Sequence, residues 1–255
     1  MIRFIKIYAF IAFCEIIFMS VDAYAVSRRY LQEKCNELKR QDTPKISVVY
    51  NYGILKYDFG LTSDEIEALF NETRNEKKGS VKKVEINDLF GGIGCAKGNR
   101  KRSVSGTKTY GLTVQSSYNN IQLHIINAEI SSGYYCVYPA EIEIFTGFNS
   151  PTTIYISKDL DKTSCRYRKT LLHEYHHVDV AYIAMNAYLN ALKSRLPEIL
   201  ANMNGAVVSE GKQADFSSYY KKIDSLYQFY IHKWNEESFK IDTDENYQKE
   251  AEICK

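Results

Sequence analysis

The 255-residue chain has almost no net charge, with 33 basic and 31 acidic residues leaving a formal +2 at pH 7. This balance provides no polyanion-binding stripe and argues against nucleic acid as a partner. None of its six cysteines forms a CxxC pair, which argues against a cysteine-ligated metal site. There is no GxxxxGK[ST] and no dinucleotide fingerprint, so "GGIGCAKG" (91–98) reads as a flexible loop rather than a phosphate cradle. Histidine is scarce as well: only His124, His173, His176, His177 and His232.

The first apolar run reads as a signal peptide or, as the alternative that its length disfavours, a membrane anchor. "IYAFIAFCEIIFMSV" (7–21) falls short of the ~20 residues a spanning helix needs, and Glu15 interrupts it. With Arg3 and Lys6 before it and "AYA" (23–25) after it, the segment reads as a signal peptide over 1–25, cleaved after Ala25. The mature chain is then expected to be secreted or periplasmic, with no stable membrane anchor. Cleavage removes Cys14 and leaves Cys35, Cys95, Cys136, Cys165 and Cys254, which in an oxidising compartment means two disulfides and one odd thiol. A chain of this length buries roughly 70 to 75% of its unfolded surface, so no metal is needed merely to hold the fold.

Between 26 and 109 the pattern gives a polar helix (27–41), strand-like "KISVVYNYGILKYDFG" (45–60), and a helix opened by the capping pair Thr62 and Glu65. A loop rich in glycine and basic residues follows. Its "NRKR" (99–102) is a solvated charge run or a processing site that releases a pro-segment near Arg102. From 110 the period becomes two: "IQLHIINAEI" (121–130), "YCVYPAEIEIFTGF" (135–148) and "TTIYIS" (152–157) read as antiparallel strands, the last two forming a hairpin through "NSP". If 146 faces 153, residue 136 lies opposite about 163, which pairs Cys136 with Cys165.

The period then changes again. Leu171, Tyr175, Val178, Tyr182, Met185 and Leu189 recur at steps of three and four, continue to Leu196, and mark a long helix with a core-facing stripe that Pro197 ends or kinks. A second stripe runs through Tyr220, Ile223, Tyr227, Tyr230 and Trp234. The tail "IDTDENYQKEAEICK" opens a short helix, with Asp242 as cap and Glu245 three residues on.

On the long helix lies "LLHEYHHVDVA" (171–181). His173 and His177, four apart and off the apolar stripe, project from one face and can share an ion. Glu174 takes the HExxH offset, beside the metal without ligating it, where a carboxylate serves as general base. Neutral imidazoles suit one Zn²⁺, and three protein ligands leave a fourth position for water. The alternative is a solvated face whose histidines hold ordinary partners, which is the reading for His176. Asp179 points away on a continuous helix and reads as a partner behind a ligand or a surface charge.

"HEYHH" in this setting resembles the zincin metallopeptidases. "SCRYRKTLLHEYHHVDVA" more narrowly resembles a group of bacterial exported proteins predicted to be zinc-dependent proteases. The resemblance covers 110–255 and implies an α+β catalytic domain: an antiparallel sheet packed on the long HExxH helix and a second antiparallel helix. It also implies an edge strand, from "AEIEIFTGF" or "TTIYIS", along which a peptide or protein substrate adds as a strand. There is no HExxHxxGxxH and no NExxSD-like stretch, so the third ligand is left open.

The group's presumed third ligand follows the second helix, which falls here within "IDTDENY". An antiparallel return of that helix independently brings 232–247 toward the histidines. Within the window Glu245 is preferred and Asp242 comes next, ahead of Glu236, Glu237 and His232; a plain capping box is the competing use of Asp242 and Glu245. Tyr247 and His232 are candidate oxyanion stabilisers. The expected function is an exported zinc metallopeptidase. A zincin-fold binding module without catalysis and a zinc hydrolase acting on cell-envelope amide bonds are the alternatives.

Overall fold

The computed structural model describes residues 28–79, 108–149 and 151–254. The signal segment, the glycine cluster, "NRKR" and Cys95 lie outside them. Elements run in the order α1 (28–41), β1 (Lys45–Asn51), β2 (Leu55–Asp58), α2 (Ser63–Gly79), β3 (Gly111–Val114), β4 (Ser117–Ser131), β5 (Tyr134–Phe148), β6 (Thr152–Ile156), α3 (Cys165–Ala201), β7 (Ala206–Ser209), α4 (Ser217–Ile241) and α5 (Asp244–Glu252). Among the described residues the fold is α+β with two sheets. In one, β5 lies between β4 and β1 and also pairs with β7; the other has the order β2-β6-β3.

The second sheet is mixed, because β6 pairs in parallel with β2 and antiparallel with β3. This corrects the expected antiparallel hairpin of 135–148 with 152–157. The reason is visible at Gly147, where φ is +137° and a Cβ would stand 2.1 Å from the Asn51 carbonyl oxygen. The backbones cross so closely there that only glycine fits, and the chain leaves the first sheet instead of turning back along it. Asn51 Nδ2 also donates to the Phe148 carbonyl at 3.1 Å.

The described chain divides into two compact units. One holds the described residues up to Ile46, Leu123–Ile142 and Ile199–Tyr219. Its core is Leu31, Ile130, Tyr138 and the buried Cys35 and Cys136, which form a disulfide. In β5 the alternation sends Cys136 and Tyr138 inward, and Cys136 stands opposite Val207 of β7. That register, together with the failed hairpin, overturns the Cys136–Cys165 pairing. Lys39 of α1 donates to the carbonyls of Leu200, Ala201 and Met203, satisfying acceptors that the end of α3 leaves open.

The other unit comprises the described residues of Ser47–Gln122, Glu143–Glu198 and Tyr220–Lys255. The apolar stripe of α3 packs Tyr167, Leu171, Tyr175, Val178 and Tyr182 against Ile154 and Ile156 of β6. Helix α3 has 37 residues and continues past Pro197 to Ala201. Tyr188 of α3 meets Tyr227 of α4 at 5.3 Å between ring centres, while His177 lies beside Asp242 just beyond α4, so the two helices are antiparallel as expected. Trp234 and Phe148 pack edge-on at 6.0 Å and are both buried; each large aromatic so placed is worth about 1.5–3 kcal/mol of burial.

The capping pair of α2 forms as expected: Thr62 N–H donates to Glu65 Oε2 at 2.7 Å, and Glu65 N–H donates to Thr62 Oγ1 at 3.2 Å. The cap of α5 differs by one residue. Thr243, not Asp242, accepts from the backbone of Asn246. A second disulfide joins Cys165, the first residue of α3, to Cys254 just beyond α5. Among the described residues, no helix is long and apolar enough to cross a membrane.

Candidate metal centre

The centre is built on one turn of α3. The residues that bury the stripe on the sheet leave His173 and His177 on a neighbouring face, their rings 5.1 Å apart. His173 is 6% exposed. Because α4 returns antiparallel, the chain reaches these rings as the helix ends, and Asp242 sits at that point. Its Oδ1 lies 3.2 Å from His173 Nε2 and 3.3 Å from His177 Nε2. One ligand atom from each of the three residues falls within 4.8 Å of the others, an arrangement that could hold a metal ion.

Helix α5 closes the other side. The Tyr247 hydroxyl donates to Asp242 Oδ1 at 3.0 Å and lies 3.4 Å from His173 Nε2, and its ring stacks on His173 at 5.0 Å. Glu250 Oε1 accepts from His173 Nδ1 at 3.0 Å. The Cys165–Cys254 bridge ties the end of α5 to the start of α3, and Lys169 reaches the Tyr247 carbonyl at 3.5 Å.

Glu174 faces β3 and is 5% exposed. Thr113 Oγ1 donates to Glu174 Oε2 at 2.9 Å. A Cβ on Gly111 would stand 2.5 Å from Glu174 Oε1 and 2.7 Å from Thr170 Cγ2. Glycine at 111 therefore lets the strand backbone lie directly against the carboxylate.

The electrostatics follow from this packing. Burial alone would lower the His173 pKa, but the hydrogen bond to Asp242, the charge of Glu174 and the contact with Glu250 outweigh it and lift the value to about 9. Burial raises the Glu174 carboxyl above its usual range, against the pull of His177, His173 and Thr113. Asp242 moves the other way: burial would raise it, yet the two histidines hold it far below.

Of the residues anticipated from sequence, His173, His177 and Asp242 meet, with Tyr247 beside them. Glu245, the preferred third ligand, does not join them: it is 77% exposed and pairs with Lys249 at 2.8 Å. The shifted cap explains both positions. With Thr243 capping α5, Asp242 precedes the helix with its side chain free to turn inward, while Glu245 falls on the outer face. His232 and Glu236 pair with each other at 3.1 Å, and Glu237 pairs with Lys240. His176 and Asp179 are exposed. Glu250, Thr113 and Gly111 were not anticipated; a signal for Glu250 was present in its spacing of three from Tyr247, which puts both on one face of α5.

Compared with known proteins, the chain shows no significant match to a family model, a curated protein or a solved structure.

Proposed function

We propose that the protein is an exported zinc-dependent metallopeptidase. The observation that carries this reading is the placing of a buried carboxylate, Glu174, next in sequence to a His173–His177–Asp242 donor group and against the strand β3. Two imidazole nitrogens and one carboxylate oxygen are the donor set of many catalytic zinc sites, which keep a further position for water. When bound, the metal supplies a Lewis acid and an activated water.

The rest is work for the chain's own groups. Glu174 Oε takes a proton from the attacking water and passes it to the leaving amine. Burial shifts its pKa upward, which strengthens the carboxylate as a proton acceptor. The Tyr247 hydroxyl, beside His173 Nε2, would turn its proton from Asp242 Oδ1 to the carbonyl oxygen as negative charge builds there. Asp242 and His177 hold the donor geometry.

An extended peptide would add along β3. Among the described residues β3 pairs in its sheet with β6 alone, which leaves its other edge without a described strand, and Gly111 and Thr113 bring β3 to Glu174. The strands first considered for this role are both internal: β5 lies between neighbours and so does β6. Export is supported by two disulfides, bonds that persist in oxidising compartments.

The test combines metal analysis with Glu174→Gln. The protein purified without chelator should carry about one zinc and cleave peptides. Glu174→Gln should keep the zinc and lose cleavage by about 10²–10⁴-fold or more. Absence of metal in the purified protein, with none taken up afterwards, would overturn the reading. Cleavage of envelope amides but not peptides would move the activity to that substrate class, and zinc binding without any hydrolysis would leave a binding module.

A further inference from the structure

We infer that Glu250 is the positioning residue of the centre: it holds the Nδ1 proton of His173, and so fixes the ring with Nε2 aimed at the metal. This rests on the metal-binding part of the reading above and does not depend on what is cleaved.

An imidazole can present only one ring nitrogen to the ion that His177 and Asp242 share. Nε2 of His173 faces Asp242 Oδ1 at 3.2 Å, and Nδ1 faces Glu250 Oε1 at 3.0 Å. The two acceptors stand on opposite sides of one ring. With Nε2 given to the metal, Nδ1 keeps its hydrogen and donates it to Glu250, which settles the tautomer. A carboxylate in that position also pulls on the N–H and makes Nε2 a stronger donor.

The surroundings of Glu250 give it no other use. Its side chain is 13% exposed and makes an ion-pair contact only with His173 among the described residues. Its second oxygen, Oε2, is buried with no hydrogen-bond partner. Burying a carboxylate without a cation is costly; the His173 ring beside it can carry that charge, and with Nε2 given to the metal the ion beyond the ring would supply it along the same line. Tyr247 comes from the same face of α5 and stacks on the ring at an interplanar angle of 22°. One helix therefore fixes the ring twice, in its plane through Tyr247 and about its axis through Glu250.

The test uses the full-length mature protein, with zinc affinity measured by chelator competition for wild type, Glu250→Ala, Glu250→Gln and the outward-facing Glu245→Ala. Glu250→Ala is expected to weaken zinc binding about 10–100-fold. Glu250→Gln, which keeps size and one acceptor oxygen, should weaken it less, and Glu245→Ala should match wild type. In the zinc-loaded wild type, nitrogen–proton correlation spectra should show a downfield, exchange-protected Nδ1 proton on His173. That signal should shift in Glu250→Gln even where circular dichroism is unchanged, an effect that a helix anchor alone would not produce. If Glu250→Ala fails to fold, Glu250→Gln decides. Wild-type zinc affinity and an unmoved Nδ1 proton in Glu250→Gln would overturn the inference, and so would a wild-type protein that takes up no metal. A wild type that holds zinc weakened by Glu250→Ala, yet cleaves nothing, would support this inference while refuting the peptidase reading.

Discussion

Asp242 Oδ1 lies 3.3 Å from His177 Nε2, although 65 residues (242 minus 177) separate them. The relationship predicts which tail carboxylate matters. Asp242→Ala should weaken zinc binding by more than the roughly 10–100-fold typical of groups behind a ligand, whereas Glu245→Ala should leave it at the wild-type level. Isothermal titration of the two variants checks this; equal affinities would remove Asp242 from the ligand set.

Gly111 supplies a second prediction, aimed at Glu174 rather than at the metal. In Gly111→Ala the added methyl would begin 2.5 Å from Glu174 Oε1, so the carboxylate or the strand must shift. On the peptidase reading proposed above, hydrolysis should fall at least tenfold with zinc content unchanged, because the proposed base is displaced and the proposed ligands are not. Thr113→Val, which removes the hydroxyl that donates to Glu174 Oε2, should lower activity less. Steady-state kinetics beside metal analysis separates the two effects.

The third prediction concerns pH and the metal-free protein. The folded-state pKa of His173 is raised from 6.5 to about 9, so its contribution to stability is complete below about pH 6.5 and is lost as pH rises through about 9. That of Asp242 is lowered from 3.8, so its contribution is present above about pH 4 and disappears with acid. Metal-free protein should therefore lose on the order of 3 kcal/mol between pH 7 and 10 from His173. Saturating zinc should abolish that alkaline loss, since the ion replaces the proton on the ring. Denaturant unfolding across this range, with and without zinc, checks the sign.

Removing the outer disulfide should act on both stability and the site. Cys254 is exposed and holds the end of α5 to the start of α3. The double variant Cys165→Ser with Cys254→Ser should cost about 2–4 kcal/mol of stability. It should also weaken zinc binding, because Tyr247 and Glu250 lose their covalent tether. Unchanged zinc affinity would mean that noncovalent packing of α5 suffices.

The long helix and its histidine pair were legible because both obey one rule, the 3.6-residue period that brings i and i+4 together. The capping pair Thr62–Glu65 was legible for the same reason, as a signal contained within four residues. What was not legible depended on chain segments far apart in sequence. Gly147 looks like any turn glycine until the Asn51 backbone is placed against it, so the hairpin and the Cys136–Cys165 pairing that relied on it went wrong together. In the tail, "DTDE" offers several capping choices one residue apart, and only the cap at Thr243 leaves Asp242 ahead of the helix and Glu245 on its outer face.

The Cys165–Cys254 bridge also determines what a broken main chain would do. His173, His177, Asp242, Tyr247 and Glu250 all lie within the covalent ring that this bridge closes, across a sequence separation of 89. The exposed turn around Gly211, between β7 and α4, lies in the same ring. A single cut there by a protease leaves the two histidines on one fragment and Asp242 on the other. The fragments stay linked through Cys165 and Cys254, so the nicked protein would run as one species until a reductant is added.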